Sequence, residues 1–426
     1  MENKEIIYGS FKDVTEPEAE EMSDLSASFD GLVDLVLNDH GELVFLVKQG
    51  GALIMKSEHA IGGKLFIPPP EDKIIWKIPS GSEVIRHWNQ DTDSVLFDDL
   101  VQYHSTISEL PSQDHYRFLA AWVFHTYLTE KFEYSPIPWF HGIAERGKTR
   151  TGKGMIYSSY RGVHLITLRE AHFLRLAQDL KATLFIDAMD IWKKAEAAGS
   201  EDILLCRFEK GAKVPRVLYP EKGKFRDTVY FSVYGPTTVA TNEPVNEIFA
   251  SRTIPVIMPE SARQFEDDIR PVDGLPFRER LLAFRGRWMD RDLPAVTKPC
   301  AGRLGDILKP LRQIVNAICH DEDWFMKFVK DLEVQRKHVG ADSLDAEVVA
   351  AMVQERKSIS NGHLLNEVLL NALNEKRSER ENITPQKLGK IVARLGFEKY
   401  SSGQQRGFYW KDDLVVRLCK RYGINL

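Results

Sequence analysis

Residues His141-Gly-Ile-Ala-Glu-Arg-Gly-Lys-Thr149 fit the spacing G-x-x-x-x-G-K-[ST] and follow an apolar, strand-like run, Ile137-Pro-Trp-Phe140. The chemistry of this spacing is phosphate binding. Gly142 and Gly147 would let backbone N–H groups turn inward on a β-phosphate, Lys148 would reach the β/γ oxygens, and the Thr149 hydroxyl would hold Mg²⁺. The loop therefore predicts ATP as nucleotide and Mg²⁺ as metal.

A metal held by Thr149 needs an oxygen ligand from across the pocket. Thr183-Leu-Phe-Ile-Asp187 ends an apolar strand in an acid and offers Asp187 for that role, although a strand-end aspartate can also simply cap a turn. The next position, where many ATPases carry a water-orienting glutamate, is Ala188, and the nearest carboxylate is Asp190. Nucleotide binding is thus better supported than hydrolysis. Tyr234-Gly-Pro-Thr-Thr-Val-Ala-Thr-Asn242 ends a further strand in an amide. Asn242 is a candidate sensor of attacking water or γ-phosphate, or a loop residue satisfying its own turn. Arg252 precedes a strand in Ser251-Arg-Thr-Ile-Pro-Val-Ile257, where it would reach a neighbouring subunit's γ-phosphate or make a surface ion pair. Lys210, Lys213 and Arg216 surround a Gly-centred turn that reads either as a sequence-independent grip on nucleic-acid phosphates or as a solvated hairpin.

Positioning these groups takes alternating strands and helices. Candidate strands at 137–141, 183–187, 229–234, 237–241 and 254–258 are separated by helical text, the pattern of a mostly parallel sheet layered between helices. The fold class expected is α/β, with a three-layer P-loop core spanning 96–260. Its leading helices occupy 96–131 and break at Leu110-Pro-Ser112. Ahead of it, 29–95 reads as a small β-rich module and 1–28 as a flexible acidic leader, with nine acids against two lysines over residues 1–30. Helical text fills most of 261–357. From 358 onward a helix, a second helix with a Thr384-Pro start and a Gly396 stop, and a hairpin at 403–410 follow one another. Residues 361–426 carry twelve Lys/Arg against seven Asp/Glu.

With 43% hydrophobic and 28% charged residues over 426 positions, the chain is ordinary globular material of two or three domains. No apolar run approaches the roughly 18 residues that span a bilayer, and Glu2, Lys4 and Glu5 do not open a signal peptide, so no membrane association and a cytoplasmic location are expected. Cys206, Cys300, Cys319 and Cys419 lack the spacing of a disulfide framework or zinc site and are expected to be buried hydrophobes.

The succession GIAERGKT (142–149), LFID (184–187), VATNEP (239–244) and ASRTIPV (250–256), with a winged-helix-like tail, resembles AAA+-type helicases of phages, plasmids and other mobile elements. The resemblance covers roughly 100–426 and is clearest over 137–259. It implies a homo-oligomeric, usually hexameric, ring that hydrolyses ATP between subunits and threads nucleic acid through its centre. It further implies Asp187 as the metal-binding acid, Asn242 as sensor and Arg252 as trans-acting finger. Arg303 falls where a second sensor arginine would lie in contact with nucleotide. Ala188 departs from the pattern. In the tail, Gln386, Lys387, Lys390 and Arg394 would face DNA from the second helix of a helix-turn-helix unit, with Arg406 on the wing, unless the tail docks protein instead. The expectation is an ATP-dependent DNA helicase or translocase for replication of a mobile element, acting on single- or double-stranded DNA. The alternative is a DNA-binding initiator or regulator that binds ATP and turns it over slowly or not at all.

Overall fold

The computed structural model describes residues 24–425 apart from 91, 168, 320, 342, 343, 376 and 378–380. Residues 1–23, most of the expected leader, lie outside the described residues. Two compact units form, divided between Phe325 and Met326.

The first unit opens with β1 (Asp24–Leu25), the meander β2 (Leu32–Leu37), β3 (Leu43–Gln49) and β4 (Ala52–Lys56), and the hairpin β5 (His59–Ile61) and β6 (Lys64–Ile67). β6 pairs with β5 and, in parallel, with β1, so the last residues expected in the leader belong to a sheet. Two residues are too few to display alternation. The turn from β2 to β3 is closed by Asn38, whose Oδ1 accepts from the amides of His40 and Glu42 at 2.9 Å. β2 is buried almost throughout, including Asp34, whose carboxylate accepts from Arg161 Nε at 2.7 Å. Two partly satisfied charges in a dry setting are tolerable only as a pair. Arg285 Nε also donates to Val33 O at 2.9 Å.

Three helices follow, α1 (Gly81–Trp88), α2 (Asp93–Ile107) and α3 (Gln113–Thr126), the last two parted at the expected Leu110-Pro-Ser112 break. The core then alternates β7 (Ile137–His141), α4 (Lys148–Ser158), β8 (Gly162–Leu165), α5 (Glu170–Gln178), β9 (Thr183–Asp187), α6 (Ile191–Ala198) and α7 (Glu201–Cys206). It continues through β10 (Lys213–Val217), β11 (Thr228–Ser232), β12 (Thr237–Thr241), α8 (Glu247–Ala250) and β13 (Thr253–Ile257). Five strands make one all-parallel sheet in the order β13-β7-β12-β9-β8. Parallel strands covered on both faces are buried along their length; β9 is so with an apolar centre, Leu184-Phe-Ile186, and β12 is buried at all five positions although three of them are threonines. The run expected at 229–234 behaves differently. It supplies β11, which leaves the sheet to pair antiparallel with β10, while the unexpected β8 takes the sheet's edge. α9 (Leu275–Trp288), α10 (Gly302–Ile318) and α11 (Asp323–Ala341) account for the helical text beyond the sheet, and the unit boundary falls within α11.

The second unit holds α12 (Leu344–Gln354), β14 (His363–Leu365), α13 (Asn366–Asn374), α14 (Pro385–Arg394), β15 (Lys399–Ser402), β16 (Gln405–Tyr409) and α15 (Asp412–Tyr422). β16 is the middle strand of a three-stranded antiparallel sheet. Val348, Met352, Leu364, Leu388, Ile391 and Phe408 share its core. Thr384 caps α14 by accepting from the Lys387 amide at 3.3 Å, with Pro385 at the first helical position.

Candidate nucleotide site and nucleic-acid surfaces

Register builds the site. Ala240 on β12 lies opposite Phe140 of β7 on one side and Asp187 of β9 on the other, so the 142–147 loop, Asp187 and Asn242 all leave the sheet at one edge. Gly147, at φ 76°, takes the left-handed conformation that starts α4 and turns its first amides into the loop. Lys148 is 8% exposed and donates from Nζ to Ile143 O at 2.5 Å across the loop. Burial pulls its pKa below the ordinary lysine value, and the nearby Asp187 charge works against that shift.

Thr149 Oγ1 donates to Asp187 Oδ2 at 2.6 Å. His164 Nε2 stands 3.8 Å from the same oxygen, an ion-pair rather than a hydrogen-bond distance. Burial opposes the charge on Asp187 most strongly. The Thr149 hydroxyl, His164 and the charge of Lys153 together outweigh it and hold the carboxyl below its ordinary pKa. A hydroxyl and one carboxylate suit a cation whose remaining ligands are phosphate oxygens and water. No cluster of three or more His, Cys, Asp or Glu able to hold a metal by itself occurs among the described residues.

The cleft over this edge measures about 450 Å³ and is lined by Gly147, Lys148, Thr149, Asp187, Ala188 and Asn242 among others. That lies within the range of small-molecule sites, roughly 300–1,000 Å³. Asn242 is held by its amide, which donates to Met189 O at 3.2 Å. Asp190 is not among the lining residues. Its carboxylate caps α6, accepting from the Lys193 amide at 3.0 Å and pairing with Lys193 Nζ at 3.1 Å. The lining carboxylate besides Asp187 is Glu145, inside the loop itself. Sequence reasoning passed over both Glu145 and His164. The first sits at a variable position of the motif, and the second lies on the strand that was not expected.

Arg252 and Arg303 lie at the opposite edge. Thr253, next to Arg252, pairs with Ile137, whereas the loop follows His141, so four steps of about 3.3 Å, roughly 13 Å of strand, separate Arg252 from the loop. Arg303 Nη1 donates to Ser251 Oγ at 2.6 Å, and the two guanidiniums sit 4.7 Å and 5.9 Å from the Phe208 ring centre. Burial, and then the charge of Arg303, lower the Arg252 pKa. The structure thus brings Arg303 to Arg252, not to its own chain's cleft.

The β10–β11 ribbon divides the three basic candidates. Lys210 Nζ donates to Glu130 O at 2.9 Å, and Arg216 is tied to Glu170 and, at 3.1 Å, to Asp202, whereas Lys213 is exposed. The ribbon and the turn that closes it carry exposed aromatic and basic groups. Phe225 is 99% exposed, Tyr230 is 62% exposed, and Lys222 Nζ lies 3.6 Å from the Tyr219 ring centre. In the second unit Gln386, Lys387, Lys390 and Arg394 are exposed on α14; Arg394 also pairs with Asp345, and Arg406 is held by Ser401 and Gly403 O in the β15–β16 turn. Cys419 is buried as expected, but Cys206, Cys300 and Cys319 are half-buried; all four are free thiols.

No helix among the described residues is long and apolar enough to cross a membrane. No family model matches the chain, and no curated protein does. Among solved structures, the chain is similar to the apo A form of the NrS-1 C-terminal region (10% identity, 88% of this chain, 96% of that one, TM-score 0.35). It is also similar to SCCmec type IV Cch, described as an active helicase (12% identity, 94% and 80%, TM-score 0.36). A full-length MCM homologue from Methanopyrus kandleri is a third (12% identity, 69% and 75%, TM-score 0.33).

Proposed function

We propose that this chain is an ATP-dependent DNA helicase or translocase, acting in the cytoplasm as a homo-oligomer, hexameric on this reading, in replication of a mobile genetic element. The observation that carries the reading is the convergence of Lys148, Thr149 and Asp187 on one sheet edge, with the Thr149–Asp187 contact at 2.6 Å. Lys148 and the loop amides bind the β- and γ-phosphates, while Thr149 and Asp187 hold Mg²⁺, which neutralises phosphate charge when bound. Asn242 orients water or γ-phosphate. Arg252, too far from its own loop, serves the nucleotide of an adjacent copy, and Arg303 supports it. The exposed aromatic and basic groups of the ribbon and its turn suit single-stranded DNA, whose bases stack on aromatic rings. The helix–strand–helix–helix–strand–strand order of α12 to β16 supports a winged helix, with α14 offered to a major groove.

A second reading has its own support. Ala188 follows Asp187, and Asp190 is engaged in capping α6, so an initiator or regulator that binds ATP and hydrolyses it slowly or not at all fits as well. Steady-state ATP turnover with and without single-stranded DNA, against Lys148→Ala, separates the two. The motor predicts DNA-stimulated turnover that Lys148→Ala abolishes. Turnover surviving in that variant sinks the assignment of the loop, and tight nucleotide binding without turnover selects the switch.

A further inference from the structure

Opposite the phosphate loop, at the amino ends of β8, β9 and β12, lies another cleft of about 590 Å³. Arg161 leads into β8, Lys181 towards β9, and Gly235 and Pro236 into β12, and all four line it. Four cations, Arg161, Lys181, Lys210 and Arg285, face it against the carboxylates Asp30 and Glu130. Glu130 is already engaged, accepting from Arg285 Nη1 at 2.5 Å. Arg161 spends Nε on Asp34 and Nη1 on Leu180 O, and its Nη2 is buried with no hydrogen-bond partner.

Lys181 stands out within this group. It is exposed to the cleft and to solvent, its ammonium has no hydrogen-bond or ion-pair partner among the described residues, and its backbone lies at φ 51°, where glycine or asparagine would sit at less cost. Burial lowers its pKa; Asp179 opposes this, while the charges of Arg161 and Arg207 add to it. The Lys181 ammonium stands free on a backbone conformation that costs a lysine free energy, in the same cleft as Arg161 with its buried, unpartnered Nη2, and a bound anion would offset the like charges gathered there. The Ser232 hydroxyl, at the end of β11, lines the same cleft and adds a neutral donor.

We infer that this cleft is a second anion site that binds a phosphate group, as a diester or a free phosphate, with the Lys181 ammonium as its direct ligand and Ser232 beside it. The site is distinct from the phosphate loop and independent of ATP turnover. The test uses the full chain carrying Lys148→Ala, in which the phosphate loop has lost its lysine. Pyrophosphate and a short oligothymidylate are titrated separately by calorimetry, with Lys181→Gly and Lys181→Gln added in turn. Glycine accepts the left-handed backbone, so Lys181→Gly stays folded, and glutamine keeps the side chain's reach without its charge.

Both variants are expected to weaken binding about tenfold or more, the loss of one charge-assisted hydrogen bond. A loss confined to pyrophosphate identifies free phosphate as the ligand; a loss confined to the oligonucleotide identifies the nucleic-acid backbone. Unchanged affinity for both probes in both variants overturns the site, as does failure of both probes to bind the Lys148→Ala chain. Neither result bears on the proposed ATPase, whose loop is disabled throughout.

Discussion

Gly152 sets how closely α4 approaches β9, and replacing it tests whether that approach shapes the nucleotide site. A Cβ at this position would lie 2.1, 2.4 and 2.6 Å from three atoms of the Phe185 ring. The ring is buried and stacked on His164 at 4.8 Å, so turning it aside disturbs a neighbour of Asp187. Gly152→Ala must turn the Phe185 ring against His164 or shift the helix that carries Thr149 from the strand that carries Asp187, and each response disturbs their 2.6 Å contact. Overpacking costs about 1–3 kcal/mol, here at the upper end, and the better helix propensity of alanine returns about 1, leaving a net loss of about 2 kcal/mol. Loss of the charge-assisted contact should weaken Mg²⁺-nucleotide binding by roughly tenfold or more. Urea unfolding and titration with a fluorescent nucleotide measure the two effects, and Gly152→Ala with Phe185→Leu should recover both. A single variant with wild-type midpoint and affinity, or a double variant worse than the single, would refute the packing argument.

Three further outcomes are expected. Phe225→Ala, at a fully exposed position, should leave unfolding within about 0.5 kcal/mol of wild type yet weaken single-stranded DNA binding by about 1–3 kcal/mol; equal affinity by fluorescence anisotropy removes the ribbon from the DNA surface. Arg252→Ala and Lys148→Ala proteins, each inactive alone, should regain ATP turnover when mixed, because each supplies what the other lacks; mixtures that stay inactive end the case for an arginine acting across an interface. Burial lowers the pKa of His104 to about 3 from its ordinary 6.5, so the folded state resists a proton that the unfolded chain accepts. Its contribution to stability is complete above pH 6.5 and is lost as pH falls towards 3. His104→Leu should flatten the fall by up to about 1.4 kcal/mol per pH unit, and parallel slopes for variant and wild type would contradict this.

The parts of this fold that can be read from the chain are those whose signal is local. β9 carries the apolar centre Leu184-Phe-Ile186 and β12 the centre Val239-Ala240, both buried, and the 142–147 loop is bounded by glycines at positive φ. Where pairing over distance decides, the text is silent. β11 has the composition of a sheet strand, yet only the antiparallel partner at 213–217 determines that it leaves the sheet. β8 is four residues long and carries His164, which breaks its apolar run. Asp34 looks like a solvent-facing charge inside Leu32-Val-Asp-Leu-Val36, because Arg161, 127 residues later, is what allows it to be buried. The same distance effect hid the grouping of Arg303 with Arg252 through Ser251.

That grouping has a consequence for the proposed chemistry. The cleft gathers Lys148, Thr149 and Asp187, the groups proposed to bind phosphate and metal, but among its lining residues the arginines are Arg146 and Arg150. Arg146 pairs with Glu260 at 3.1 Å, and Arg150 donates from Nε to Ile107 O at 2.6 Å. Both are anchored towards protein. The arginine pair that packs on Phe208 sits at the other ends of the strands, with Arg252 at least roughly 13 Å of strand from the loop by the rise of about 3.3 Å per residue, a span beyond the reach of its side chain. A parallel sheet keeps its two strand ends apart whatever the loops do, so on the proposed reading one copy presents the phosphate-binding half of the site at the carboxyl ends of its strands and the charge-stabilising half at the amino ends. On that reading, turnover therefore rises with assembly, whereas nucleotide binding, which needs only the first half, does not.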